Sequence, residues 1–273
     1  MSTLVAKKRN GKIKVTQPNK SQILLKVFII ASLIFTFVGF FLLDYKDLNL
    51  MQALQETFAN LKIMFLTPTF NQINFAGAAW QVFITLCLAF LSTIIGAIIS
   101  LFLAFGTSMN LSKPWLSYTI KSFVTVFRAV PTVLWVLIFA IAAGLGSIAA
   151  IIGMVFHSIS YLVKAYSEAF EELDKGKIEA LQATGASYTH ILSQVVIPQT
   201  KSYIVSWTFL RFEINFGVAV AMGAAAGAGG IGYELFMASN FYFDLNEVGA
   251  ITLLIIAVSI ILEIVANQLK AKA

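Results

Sequence analysis

Four polar side chains sit inside stretches that are otherwise apolar, and they are where chemistry is to be sought first. In "VFRAVPTVLW" Arg128 precedes Pro131, and in "FLRFEINFG" Arg211, Glu213 and Asn215 alternate with apolar residues. A charge near the centre of a bilayer costs roughly 2.5–3.5 kcal/mol even on insertion scales, so such residues mark a function or a partner. Neighbours two apart do not face each other on a helix, so Arg211 and Glu213 cannot both be satisfied by one another. Two readings stay open. One is an interhelical ion pair of Arg128 or Arg211 with Glu213 that fixes packing. The other is an arginine facing an aqueous path, where it offers positive potential to an anion in transit.

Other reactive chemistry is missing from the sequence. His157 and His190 belong to no HExxH pattern and to no carboxylate cluster, which argues against a metal site. No GxxxxGK[ST] loop occurs, so ATP is not bound by that route, and no enzyme is expected. "GAGGIG", from Gly227 to Gly232, satisfies GxGxxG, but it follows an apolar helix rather than the strand a dinucleotide site requires. Gly227, Gly229, Gly230 and Gly232 suit instead a tightly packed end or re-entrant turn of a membrane helix. The single cysteine, Cys87, excludes an internal disulfide.

The elements that hold these residues follow from composition. With 59% hydrophobic and 12% charged residues, against roughly 25% charged in soluble domains, the chain is an integral membrane protein. A hydrocarbon core of about 30 Å needs about 20 apolar residues of helix. Runs of that kind lie at 23–43, 80–105, 118–143, 146–166, 203–226 and 249–268. An all-α protein of about six transmembrane helices is predicted, with a kink at Pro131 in the third because proline removes a backbone donor. The organisation expected is a basic tail over 1–22, a first helix over 23–43, an amphipathic outer connection over 44–79 and a core over 80–270.

Orientation follows from Lys and Arg in short loops. The tail carries Lys7, Lys8, Arg9, Lys12, Lys14 and Lys20 without an acid. Six crossings put that tail, the segments 106–117 and 167–202 and the C-terminal Lys270 and Lys272 in the cytoplasm, leaving Lys46 and Lys62 outside. The net charge of +6 therefore reads as topology and anionic headgroups rather than nucleic-acid binding. No cleavable signal peptide is expected.

One inward segment is polar beyond need. "EALQATGASYTHILSQVVIP" (179–198) reads as short helices that Gly185 ends or bends and that Pro198 ends or kinks. Composition alone makes it an amphipathic linker on the membrane. Its spacing, however, resembles the EAA loop of ABC importer membrane subunits. Leu181, Val195 and Ile197 are conservative departures from that pattern. "RAVPTVLWVLIFA", "EALQATGAS", "RFEIN" and "GAGGIG" also follow the order seen in permeases of phosphonate importers, across roughly residues 75–270.

The resemblance implies a type I ABC importer transmembrane domain at the plasma membrane. Glu179, Ala180, Gly185, Ala186 and Pro198 would lie in a coupling loop within 167–200. Arg128, Arg211, Glu213 and Asn215 would line the translocation path, with Pro131 and the four glycines as hinges. Implied partners are ATP-binding cassette subunits, which would carry the ATP and Mg2+ that this chain does not bind, an extracytoplasmic binding protein and a second permease copy. The family commonly has an arginine soon after "EIN", where this chain has Phe216-Gly217. Phosphonate, phosphite, hypophosphite and phosphate esters all stay open as substrates. A secondary carrier using Glu213, and a channel or scaffold, are the competing readings.

Overall fold

The computed structural model describes residues 5–9, 12–16, 20–42 and 49–271, so Lys46 and Lys272, which entered the topology argument, lie outside them. The chain forms two units, Met1–Thr57 and Phe58–Ala273.

In the first unit β1 (Val5–Arg9) and β2 (Lys12–Thr16) pair antiparallel, with Val5 opposite Thr16 and Arg9 opposite Lys12. The intervening Asn10-Gly11 is a strong short-range hairpin signal that the reading of the tail by charge passed over. Helix α1 (Lys20–Leu42) has the length and apolarity of a membrane span. Helix α2 (Leu50–Leu66) straddles the boundary of the two units.

The second unit is built on α3 (Phe75–Thr107), whose buried residues Ala78, Thr85, Ala89, Thr93, Gly96, Ser100, Ala104 and Thr107 recur every three to seven positions as one stripe. Without a hydrophobic drive between helices in lipid, small residues on such a stripe let helices approach closely and gain dispersion contacts. Against it lies α6 (Ser147–Glu171). A β-carbon on Gly96 would come within 2.7 Å of Ser158 Cβ, and Ser100 Oγ donates to Ile159 O at 3.2 Å.

The expected third span is two helices. α4 (Pro114–Ala129) and α5 (Thr132–Ala143) meet at 86°. Pro131 cannot donate a backbone hydrogen bond, and it drives Val130 to an extended conformation (φ −92°, ψ 123°), so the predicted kink becomes a break. The gap is closed by aromatic packing: Trp135 Nε1 donates to Phe127 O at 3.1 Å, and Phe156 stacks on Trp135 at 5.1 Å. A β-carbon on Gly153 would meet the Val136 backbone at 2.6 Å, so α5 lies hard against α6.

α6 runs unbroken through the acidic segment "SEAFE" to Glu171. After α6 come α7 (Lys175–Ala183), α8 (Tyr188–Ile191), a π-helical turn (Leu192–Val196) and α9 (Ile197–Ala226). Pro198 neither ends nor kinks this run. It occupies the start of α9, where the preceding π turn bonds Ile197 N to Leu192 O and a missing N–H at the next residue costs little.

α9 ends at Gly227 (φ +59°), and α10 (Ile231–Asn240) folds back along it. A β-carbon at Gly232 would lie 1.8 Å from Val220 O, so the hairpin closes backbone to backbone. Ile231 N donates to Thr85 Oγ1 at 3.0 Å, and Gly146 N donates to Ala226 O at 3.0 Å, which fixes the turn to α3 and to the start of α6. The last helix, α11 (Leu245–Ala271), is tied at its first turn to the segment before α3. The buried Glu247 carboxylate accepts from Ile73 N at 3.0 Å and Gln72 N at 3.2 Å.

By length and apolarity α1, α3, α6, α11 and the run Tyr188–Ala226 suit membrane spans; with the bent α4–α5 pair as one span the number among the described residues is six, as predicted.

Candidate functional site

On α9, Arg211 and Asn215 are one turn apart and share a face toward α3 and α6. Arg211 is 1% exposed and Asn215 0%. Arg211 Nε donates to Ser158 Oγ at 3.1 Å, and its guanidinium carbon lies 5.5 Å from the Tyr161 ring centre. Asn215 Nδ2 reaches Thr93 Oγ1 at 2.8 Å, Ser158 Oγ at 2.9 Å and Ser92 Oγ at 3.3 Å. Three helices are thus joined at Asn215, and Ser158's own hydroxyl donates to Met154 O at 2.8 Å.

Arg211 Nη2, Asn215 Oδ1 and His157 Nδ1 have no hydrogen-bond partner among the described residues. The ion pair with Glu213, one of the two open readings, is not formed by either arginine. Among the described residues the ion pairs are Lys121–Glu171 and Lys164–Glu168. Glu213 lies half-buried on another face of α9, within electrostatic range of Glu263 and Lys270 of α11. The guanidinium is compensated instead by hydroxyl dipoles and by the π face of Tyr161.

Arg128 is not with Arg211. It is exposed in the last turn of α4, where it lines a cavity of about 300 Å³ between α3, α4 and α6. Lys121, Lys164, Glu168 and Glu171 line the same cavity. Lys121 Nζ is 3.0 Å from Glu171 Oε1, and that oxygen also accepts from Met109 N at 3.0 Å. Lys164 Nζ stands 3.7 Å from Glu168 Oε1. Sequence reasoning missed this group, although a signal was present. Lys121 and Arg128 are two helical turns apart, as are Lys164 and Glu171, so each pair shares a face.

The polar island forms a compact turn after the end of α6. Asp174 caps α7, its Oδ1 accepting from Gly176 N at 2.9 Å. Gly185, at φ +77°, takes a left-handed conformation that side chains disfavour, which lets Ala186 N bond back to Leu181 O at 3.2 Å. Ser187 then caps α8. Ile178 and Ile191 are buried in one apolar cluster with Leu162, Tyr166 and Phe170 of α6, while Glu179, Ala180 and Gly185 are exposed. Ala186 is half-buried, and exposed Pro198 stands apart at the start of α9. Among the described residues no three His, Cys, Asp or Glu side chains gather where a metal could be held.

Residues 96–272 match the family described as binding-protein-dependent transport system inner membrane component. The chain is similar to the phosphite transport system permease protein PtxC of Stutzerimonas stutzeri, 31% identical over 64% of this chain and 64% of the relative. It is also similar to the phosphate-import permease protein PhnE of Mycolicibacterium smegmatis, 29% identical over 65% of this chain and 33% of the relative. The matches therefore span less than two thirds of either relative's length. The fold is similar to that of the MetNI methionine ABC transporter, whose solved structure is inward-facing, with a TM-score of 0.63 and 22% identity over 70% of this chain and 94% of that one. A bacterial ABC transporter that imports alginate gives the same TM-score at 12% identity, over 92% of this chain and 98% of that one. With a family match across the helices that carry both polar sites and the exposed turn, the chain belongs to the binding-protein-dependent transport system inner membrane components, the permeases of ABC importers.

Proposed function

We propose that this chain is the permease subunit of an ATP-driven importer and forms the path for a phosphonate or related small phosphorus oxyanion by alternating access. The observation that carries the reading is the α7–Gly185 turn. It is exposed at Glu179, Ala180 and Gly185, yet anchored through Ile178 and Ile191 to α6, and it leads directly into α9. A push on this turn is delivered to the two helices that hold Ser158, Arg211 and Asn215. The names of the relatives, permeases for phosphite and for phosphate import, support the substrate class.

In this reading ATP and Mg2+ belong to separate ATPase subunits that dock on Glu179, Ala180, Gly185 and Ala186, with Pro198 setting where α9 begins. Capture of the solute belongs to an extracytoplasmic binding protein, and a second permease copy completes the path. Both termini lie in the cytoplasm, and the complex sits in the plasma membrane. Arg128, Arg211, Asn215 and Glu213 belong to the path. The break at Pro131 and the turn at Gly227, Gly229, Gly230 and Gly232 supply its hinges.

The test is co-purification with a candidate ATP-binding cassette subunit, together with phosphonate uptake. Gly185→Val puts a branched side chain at φ +77°, which costs roughly 1–2 kcal/mol in the turn. It is expected to abolish recovery of the ATPase and uptake together, with the permease still inserted. Uptake that persists without any ATPase would establish a secondary carrier instead.

A further inference from the structure

We infer that the charged cavity between α3, α4 and α6 is a binding station for a tetrahedral phosphorus oxyanion, and that Glu171 competes with the anion for Lys121. This rests on the importer reading for the identity of the solute, and it adds a place for the anion and a link from that place to the coupling turn.

Arg128 sets the requirement. It is exposed on a helix of a membrane unit and has no ion-pair partner among the described residues. A guanidinium cannot face hydrocarbon, so it looks into water or protein, and its planar fork matches two oxygens of a phosphorus oxyanion at once. Lys121 lies two turns earlier on the same face, and Lys164 reaches the cavity from α6. Three cations against two carboxylates leave the cavity positive. The volume of about 300 Å³ is at the small end of ligand pockets, which run from roughly 300 to 1,000 Å³. Its hydroxyls do not decide selectivity, since Thr125 donates to Lys121 O at 2.6 Å and Ser160 to His157 O at 2.8 Å.

The carboxylates make the site responsive. Glu171 holds Lys121 at 3.0 Å with the two side chains 38% and 32% exposed for lysine and glutamate, a solvent-screened pair that a doubly charged anion can displace. The Glu171 oxygen keeps its second donor, Met109 N, in the turn between α3 and α4. Glu171 is also the last residue of α6, just ahead of the Asp174 cap of α7. Withdrawal of Lys121 therefore loosens α4 from the point where α6 passes into the coupling turn, so occupancy is felt at the face the ATPase would read.

The experiment measures equilibrium binding of radiolabelled inorganic phosphate and of methylphosphonate to the full chain in nanodiscs, with uptake by the reconstituted transporter in parallel. Saturable binding is expected, weakened about tenfold or more by Arg128→Gln and by Lys121→Gln, as for a lost charge-assisted hydrogen bond. Glu171→Gln is expected to tighten it severalfold, a gain that no folding defect imitates. Lys62→Gln, on the exposed face of α2, should leave it unchanged. No saturable binding, or equal affinity in all variants, overturns the site, and uptake retained in Arg128→Gln and Lys121→Gln would do so while the importer reading survives. Displacement of phosphate by phosphatidylglycerol in the disc would assign the cavity to lipid headgroups and also overturn it. A wild-type transporter that takes up no phosphorus oxyanion refutes the substrate reading, and the binding arm still decides the site.

Discussion

Ser158 accepts from both Arg211 and Asn215, so one hydroxyl joins α6 to α9, while its β-carbon closes on Gly96 of α3. Removing it strands a buried guanidinium nitrogen and weakens the hold on a buried amide, and unsatisfied buried groups cost about 1–3 kcal/mol. Ser158→Ala is expected to lower the unfolding midpoint in detergent accordingly; an unchanged midpoint would mean that the hydroxyl is dispensable. That Arg211 and Asn215 share a face follows from their spacing of one turn, a signal the sequence reading left unused. Ser158 was not, because a serine in a membrane helix carries no mark of what crosses to meet it. Asp244, in the turn before α11, supports a second prediction. The Asn71 side-chain amide, at 2.6 Å, and the backbone N–H of Glu247 hold its carboxyl below the usual carboxylate range. Its stabilising effect is therefore fully present above the unfolded value of about 3.9 and is lost as pH falls through the lower folded value. Melting midpoints followed from pH 6 to pH 2 should fall less steeply in Asp244→Asn than in the native chain.

Glycine marks where elements touch, and position decides the sign of a substitution. At Gly232 a β-carbon would lie 1.8 Å from Val220 O, whereas at Gly217, on the same hairpin, nothing lies within 4 Å. Gly232→Ala must part α10 from α9 and is expected to cost a few kcal/mol. Gly217→Ala removes chain entropy from the unfolded state and should stabilise by about 0.5–1 kcal/mol. Thermal unfolding of the two variants side by side checks this, and equal effects would refute the backbone contact. The hairpin itself was expected from the run "GAAAGAGGIG", and Gly185 was expected to end or bend the helix that begins the island. The sharpness of the break at Pro131 and the π turn before Pro198 were not foreseen. A proline announces a lost hydrogen bond, but whether the chain bends 86° or slips into a wider turn depends on what packs in the gap, here Trp135 and Phe156.

At the scale of the whole molecule the proposed cytoplasmic placement of the C-terminus can be tested directly. In a Cys87→Ser background, Lys270→Cys should react with a membrane-impermeant maleimide only after the cytoplasmic face is opened, and Lys62→Cys should react in intact cells. The reverse pattern would invert the proposed topology and remove the polar turn from any cytoplasmic ATPase. The membrane class, most of the span-length segments and the place of the polar turn along the chain were determined by sequence alone. The bilayer selects on hydropathy averaged over about 20 residues, and turns are specified by the few residues inside them. Only the tertiary structure decided that Arg211 meets Ser158 and Tyr161 rather than Glu213, and that Arg128 shares a cavity with Lys121 and Glu171. Those partners are brought together by backbone approach at small residues such as Gly96 and Gly153, where what matters is the shape left when a side chain is missing.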